Sequence, residues 1–183
     1  MTDKPGRSQS LLTSTATRAF IALGSNLGDS VQILRDAMAR LQFHSDAPVL
    51  KSSLWQSTPV DCPPGSPMFV NAVVALAPRA EETPESLLAK LQALEKEVGR
   101  QPKQVLNEAR PLDLDLIAFG AETRAGGALT LPHPRAHLRR FVLEPLCEIA
   151  PDLVLAGQTK TVRELLSSLA SEEQLTLLEL GSP

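Results

Sequence analysis

Aromatic side chains are scarce in this 183-residue chain, which has one Trp, five Phe and no Tyr. A core with so few rings must be built from aliphatic residues, and any ring near a polar cluster is correspondingly informative. Cysteine is nearly absent as well. Cys62 and Cys147 lie far apart, without metal-ligand spacing, which excludes a disulfide-stapled scaffold. Both read as reduced thiols of a cytoplasmic protein, with Cys147 buried in a helix. There is no excess of positive charge: 18 Lys and Arg against 21 Asp and Glu leave a net charge of −3, too little for the basic field of a nucleic-acid binder. No apolar run approaches the ~20 residues needed to span a bilayer, so no membrane partner is expected. Residues 1–17 are polar and rich in Ser and Thr and lack the apolar core of a signal peptide. They read as a disordered N-terminal extension.

What remains is an ordinary globular composition, 43% hydrophobic and 21% charged, assigned to one domain over 18–183. Arg18–Leu23 reads as a strand that ends at Gly24-Ser25-Asn26-Leu27-Gly28. Asp29 or Ser30 then caps a helix to about Leu41, with Val31, Leu34, Ala37, Met38 and Leu41 on one face. The glycine-bounded turn lacks the full signature of a phosphate-binding loop, and taken alone it is structural. Val49–Gln56 reads as a second strand, 57–67 as a loop with four prolines, and Met68–Leu76 as a third strand. Asn71 is the one strongly polar side chain in that third strand. Buried, it must bond either the backbone or a ligand. Thr83-Pro84 opens a helix to about Val98, closed by Gly99, and Glu95 shares its inward stripe with Leu87, Leu88 and Leu91. Residues 101–109 read as a mobile loop.

Arg110-Pro111-Leu112-Asp113-Leu114-Asp115-Leu116-Ile117 is the segment around which the rest is organised. On a strand, Asp113 and Asp115 point to one face and the leucines to the other. Two neighbouring carboxylates repel unless a cation neutralises them, and Mg²⁺ characteristically takes one or two protein carboxylates with phosphate oxygens and water. Arg110 adds a group suited to phosphate, and Arg100, Lys103, His133 and Arg139 add more positive charge nearby. The plainer alternative is an edge strand with two solvated aspartates. A hairpin is expected across 121–128, an extended segment over 129–134, a helix over about 139–149 that Pro145 should kink or break, a short helix capped by Thr161 or Thr159, and a last strand over 175–180. The order strand, helix, strand, strand, helix, strand predicts an α+β, ferredoxin-like βαββαβ sandwich with a C-terminal helical and strand addition.

Phe20–Gly28, Ser52–Trp55 with Pro59-Val60, Phe69-Val70-Asn71-Ala72, Arg110–Asp115, Leu131–Arg135, Arg139–Leu146 and Glu148–Pro151 together resemble, in order, the 6-hydroxymethyl-7,8-dihydropterin pyrophosphokinases of folate synthesis. The resemblance runs from about Arg18 to Leu169. It implies transfer of pyrophosphate from ATP to the hydroxymethyl group of the dihydropterin, with release of AMP, and small molecules as its partners. It also implies that Asp113 and Asp115 hold two Mg²⁺ ions and that Arg100, Arg110, His133 and Arg139 grip the triphosphate, with Gln92, Glu95 and Lys103 near ATP. On the pterin side it implies Asn71 and the backbone around Ser57 and Val60 reading the ring edge, and Phe69 and Phe141 sandwiching the ring.

The sequence departs from that family in the loop before Arg110. Leu106, Asn107 and Glu108 stand where a basic residue, an aromatic and a small residue are usual, and Pro102 and Val105 where polar residues are common. In the family this loop closes over both substrates. Asp61, in place of a common glycine, is a smaller departure. Two rivals stay open at this point. A two-metal hydrolase or nucleotidyl transferase would also use Asp113 and Asp115, and a ligand-binding or regulatory module descended from the kinase, its lid eroded, would need only the fold.

Overall fold

A computed structural model describes residues 17–60, 62–100 and 109–178. Most of the expected N-terminal extension, Asp61, and the loop residues Pro102, Lys103, Val105, Leu106, Asn107 and Glu108 lie outside the described residues, as do 179–183.

β1 is Ala19–Ser25, apolar on both faces because it is a central strand. α1 is Ser30–Leu41, and the Asp29 carboxylate caps it by accepting from Gln32 N–H at 3.1 Å. Leu34, Ala37, Met38 and Leu41 are its buried stripe. The second expected strand is broken into β2, Leu50–Lys51, and β3, Trp55–Ser57, both antiparallel to β4, Phe69–Leu76. Lys51 pairs with Val74 and Trp55 with Asn71, so four steps on one side face three on the other. That mismatch is a β-bulge. Its cause is Ser52, whose hydroxyl takes the place of a ladder carbonyl in accepting Val73 N–H at 2.9 Å.

α2, Pro84–Glu97, opens with a capping box between Thr83 and Ser86 and a proline in its first turn, then packs Leu87, Leu91 and Leu94 inward. β5 is Asp113–Phe119. The expected hairpin after it is reduced to a single bridge between Arg124 and Leu131. α3, Arg140–Ile149, continues through Pro145 rather than breaking there. Pro145 has no N–H to give the Phe141 carbonyl, but it is itself buried beside Val142, Leu143 and Leu146, and that packing outweighs one lost bond. Cys147 in this helix is half-buried, not buried, because it lies beside the inward stripe. α4, Val162–Ser168, carries a Thr161–Glu164 capping box, and β6 is Leu175–Leu177.

The strand order is β5-β1-β4-β3-β6, with β2 also on β4 and every pairing antiparallel. With β2 and β3 taken as one bulged strand, this is the ferredoxin-like arrangement with β6 added at the edge. α1 and α2 cover one face of the sheet over Ile21, Leu23, Ala72, Val74, Leu114 and Leu116. The C-terminal addition covers the other: Val142, Leu143, Leu146, Val162 and Leu165 pack on Phe20, Ala22, Val73, Ala75 and Ile117. The addition is therefore a third layer, which stops short of the sheet end where Gly24 and Asp113 lie.

Candidate active site

The alternation of β5 puts Leu114 and Leu116 under α1 and α2, and Asp113 and Asp115 on the face that α3 covers. Cross-strand pairing sets Asp113 opposite Gly24 and Gly24 opposite Asn71, so β5, β1 and β4 present these three residues in one row. Glycine at the centre matters: a Cβ at Gly24 would lie 3.6 Å from Asn71 Oδ1 and 3.9 Å from Phe69 Cδ1, in the space between the carboxylates and the rings. That space is a cavity of about 520 Å³, within the range that holds a small-molecule ligand.

Every candidate residue among the described ones lines it. Arg100, Arg110, Asp113, Asp115, His133, Arg139, Gln92 and Glu95 form one side, and Ser57, Val60, Phe69, Asn71 and Phe141 the other. Lys103 lies outside the described residues. Thr58, Leu138, Arg135 and Glu173 also line the cavity, beyond the residues to which the sequence assigns a role. Arg135 closes the Leu131–Arg135 segment, so its position had at least a local signal. Glu173 had none, because it reaches the cavity from the C-terminal segment.

The charges form a chain. One oxygen of Asp113 forms an ion pair with Arg100 Nη1 at 2.9 Å, and the other accepts from Arg110 Nη1 at 3.2 Å. The same Arg100 nitrogen also contacts Glu95, which in turn accepts Leu114 N–H at 2.7 Å. Burial holds the Glu95 carboxyl above its ordinary pKa, although Leu114 N–H and Arg100 oppose the shift. Asp115 is raised as well, first by burial and then by the charge of Asp113, against the pull of His133, Arg139 and Arg100. Burial pushes His133 below its usual value, with Asp115 opposing. Burial, and then neighbouring Arg135, lowers Arg139, whose guanidinium stands 5.4 Å from the Phe141 ring centroid. The Arg110 Nε is buried without a hydrogen-bond partner, a costly state that an anion's oxygen would relieve.

On the other side, Asn71 Nδ2 donates to Ser57 Oγ at 2.8 Å, which fixes the amide and leaves Oδ1 toward Gly24. A second hollow of about 360 Å³ shares Leu88, Gln92 and Ala128 with the first. Among the described residues no three His, Cys, Asp or Glu side chains gather as a metal cluster. The donor set for a cation is thus a pair of carboxylates, suited to an ion that completes its shell with phosphate oxygens and water.

A ferredoxin-like sheet with paired carboxylates and convergent arginines at one end of a ligand-sized cavity defines the class: an enzyme that moves phosphoryl groups. The family model described as 7,8-dihydro-6-hydroxymethylpterin-pyrophosphokinase (HPPK) matches residues 20–151, and the chain belongs to that family. It is 39% identical over 160 residues to the 2-amino-4-hydroxy-6-hydroxymethyldihydropteridine pyrophosphokinase of Haemophilus influenzae, covering 87% of this chain and 97% of that one. The enzyme of the same name from Methylorubrum extorquens is 37% identical over 153 residues, covering 84% and 94%. Among solved structures, an HPPK-DHPS in complex with substrates superposes with a TM-score of 0.68 at 12% identity, a likeness of fold. That match covers 84% of this chain, which spans 43% of that longer one. No helix among the described residues is long and apolar enough to cross a membrane.

Proposed function

We infer that the chain transfers the β,γ-pyrophosphoryl group of ATP to the hydroxymethyl oxygen of 6-hydroxymethyl-7,8-dihydropterin, releasing AMP. The P–O bond between the α and β phosphates breaks, the pterin oxygen bonds to the β phosphorus, and the hydroxyl proton is lost. The observation that carries this is the single row Asp113–Gly24–Asn71, which sets a phosphate-handling side against a ring-reading side across one open glycine.

Asp113 and Asp115 would hold Mg²⁺, two ions in this reading. The metal would supply charge neutralisation for the phosphoryl oxygens and a template for in-line transfer. The chain's own residues do the rest. Arg100, Arg110, His133 and Arg139 bind the triphosphate, and the buried, unpartnered Arg110 Nε gains an acceptor when they do. Asp113, which contacts both Arg100 and Arg110, would share in holding the cation, and those two guanidinium groups stand within reach of the phosphate oxygens. Lys103 belongs to the same set. Glu95 keeps Arg100 aimed inward, and Gln92, shared by the two hollows, lies where the nucleoside end of ATP leaves the main cavity. Phe69 and Phe141 enclose the flat ring, while Asn71 Oδ1 and the backbone of Ser57 and Val60 bond its edge. Catalysis here is positioning and charge stabilisation more than proton transfer by a dedicated base.

Residues 18–183 act as one domain in this scheme, in the cytoplasm, where ATP is available. AMP release with and without 6-hydroxymethyl-7,8-dihydropterin tests the assignment. The expected result is AMP formed only when the pterin is present. Phosphate released from ATP without pterin would make the chain a hydrolase instead.

A further inference from the structure

α3 begins at the cavity, yet its N-cap residue, Arg139, makes no side-chain capping bond. The first turn of a helix leaves backbone N–H groups that need acceptors, and a carboxylate there is favoured by the helix dipole. The acceptor comes from 32 residues away: Glu173 Oε2 takes Phe141 N–H at 3.1 Å. Glu173 is held in turn. Its own N–H donates to Ser171 Oγ at 3.2 Å, and the next residue is tied to β3, with Thr58 N–H donating to Gln174 O at 3.2 Å and Leu175 pairing with Ser57. The C-terminal segment therefore bridges two walls of the cavity, β3 with Ser57 on one side and the start of α3 with Phe141 on the other. It lies beyond residue 151, where the family match ends.

We propose that Glu173 is a positioning residue for the pterin half of the site, capping α3 from a distance and so fixing Phe141 against the ring. Glu173 also lines the cavity and faces Arg139, so its charge steadies the guanidinium that stands by the Phe141 ring. Without this contact the first turn of α3 frays, and the ring loses its set distance from Asn71 and Phe69. The idea rests on the assignment of Phe141 to the pterin, and its test is chosen so that the two can fail separately.

The test compares the full chain with Glu173→Ala and Glu173→Gln. A bond to a carboxylate acceptor is strong enough that Glu173→Ala should raise the KM for 6-hydroxymethyl-7,8-dihydropterin about tenfold, with the KM for ATP moving less than about threefold. Glu173→Gln keeps a neutral acceptor for Phe141 N–H but not the charge beside Arg139, and should recover part of that loss. Amide hydrogen exchange, measured without any ligand, should show faster exchange at Phe141 in the Ala variant and near-wild-type exchange in the Gln variant. Unchanged Phe141 exchange in Glu173→Ala overturns the proposal. So does a pterin KM that rises no more than the ATP KM while exchange at Phe141 does change, because Glu173 then serves general stability only. If the wild-type chain forms no AMP, the functional assignment fails, and Phe141 exchange alone decides whether Glu173 holds the helix start.

Discussion

Asn26 and Arg110 hold each other by the backbone. Asn26 Oδ1 accepts Arg110 N–H at 2.9 Å, and Asn26 N–H donates to Arg110 O at 3.2 Å. Asn26 is 4% exposed, in the turn that follows β1, and Arg110 stands three residues before β5 begins. One asparagine thereby fixes where an arginine of the phosphate side enters the cavity. Asn26→Ala removes the acceptor and leaves a buried N–H, at a cost of about 1–3 kcal/mol in unfolding free energy. The KM for ATP should rise about tenfold as Arg110 loses its position, with pterin affinity little changed. Urea denaturation and initial-rate kinetics measure the two effects, and an unaltered ATP KM would separate Asn26 from the site.

Asp115→Ala should abolish turnover and leave the fold at least as stable as before. No described residue donates a hydrogen bond to the Asp115 carboxylate, while burial and Asp113 both disfavour its charge, so the folded protein without ligands bears a cost there. Removing it should raise the urea midpoint of unfolding at neutral pH. Any Tm increase that Mg²⁺ and ATP give the wild type should shrink sharply in the variant. An Asp115→Ala protein that keeps most of its AMP release would remove the metal from this carboxylate pair.

Phe141→Ala should weaken the pterin more than the nucleotide. The ring lines the cavity beside Arg139, and loss of one aromatic face costs about 1–3 kcal/mol, or roughly five- to 150-fold in pterin Kd. The Kd for a non-hydrolysable ATP analogue with Mg²⁺ should move less than about threefold by isothermal titration. Equal losses for both ligands would mark Phe141 as packing for α3.

Much of this was legible where the signal is local. Asp113 and Asp115 declare their shared face by a two-residue spacing, and Thr83-Pro84 and Asp29 announce helix starts by chemistry that acts within one turn. The candidate residues came from scattered motifs, and the strand register Asp113–Gly24–Asn71 explains why residues so far apart in sequence meet. What stayed hidden depends on partners distant in the chain. The Ser52 bulge exists because a hydroxyl replaces a carbonyl opposite Val73, and a run of apparent strand residues gives no sign of it. Pro145 reads as a helix breaker until the burial of its neighbours on the sheet is known. Glu173 caps a helix that ends before it in sequence, so no spacing rule reaches it.

Away from the site, Glu82 ties α2 to the preceding turn through Lys90 and the Ser86 hydroxyl. Burial would raise its carboxyl, but the bonds from Lys90 and Ser86 outweigh burial and hold its pKa below the ordinary 4.5. A carboxyl depressed in the folded state stabilises the fold above its unfolded pKa, and loses that contribution as pH falls through the folded value. Glu82→Gln should therefore unfold at lower urea concentration than the wild type at pH 7, and the two midpoints should converge as the pH is taken well below 4.5. His44, which lies in the same field, is itself held low by burial and by Lys90, so it stays neutral near pH 7 and leaves the comparison there undisturbed. A difference between the two proteins that persists unchanged into acid would show that Glu82 works by packing and neutral hydrogen bonding alone.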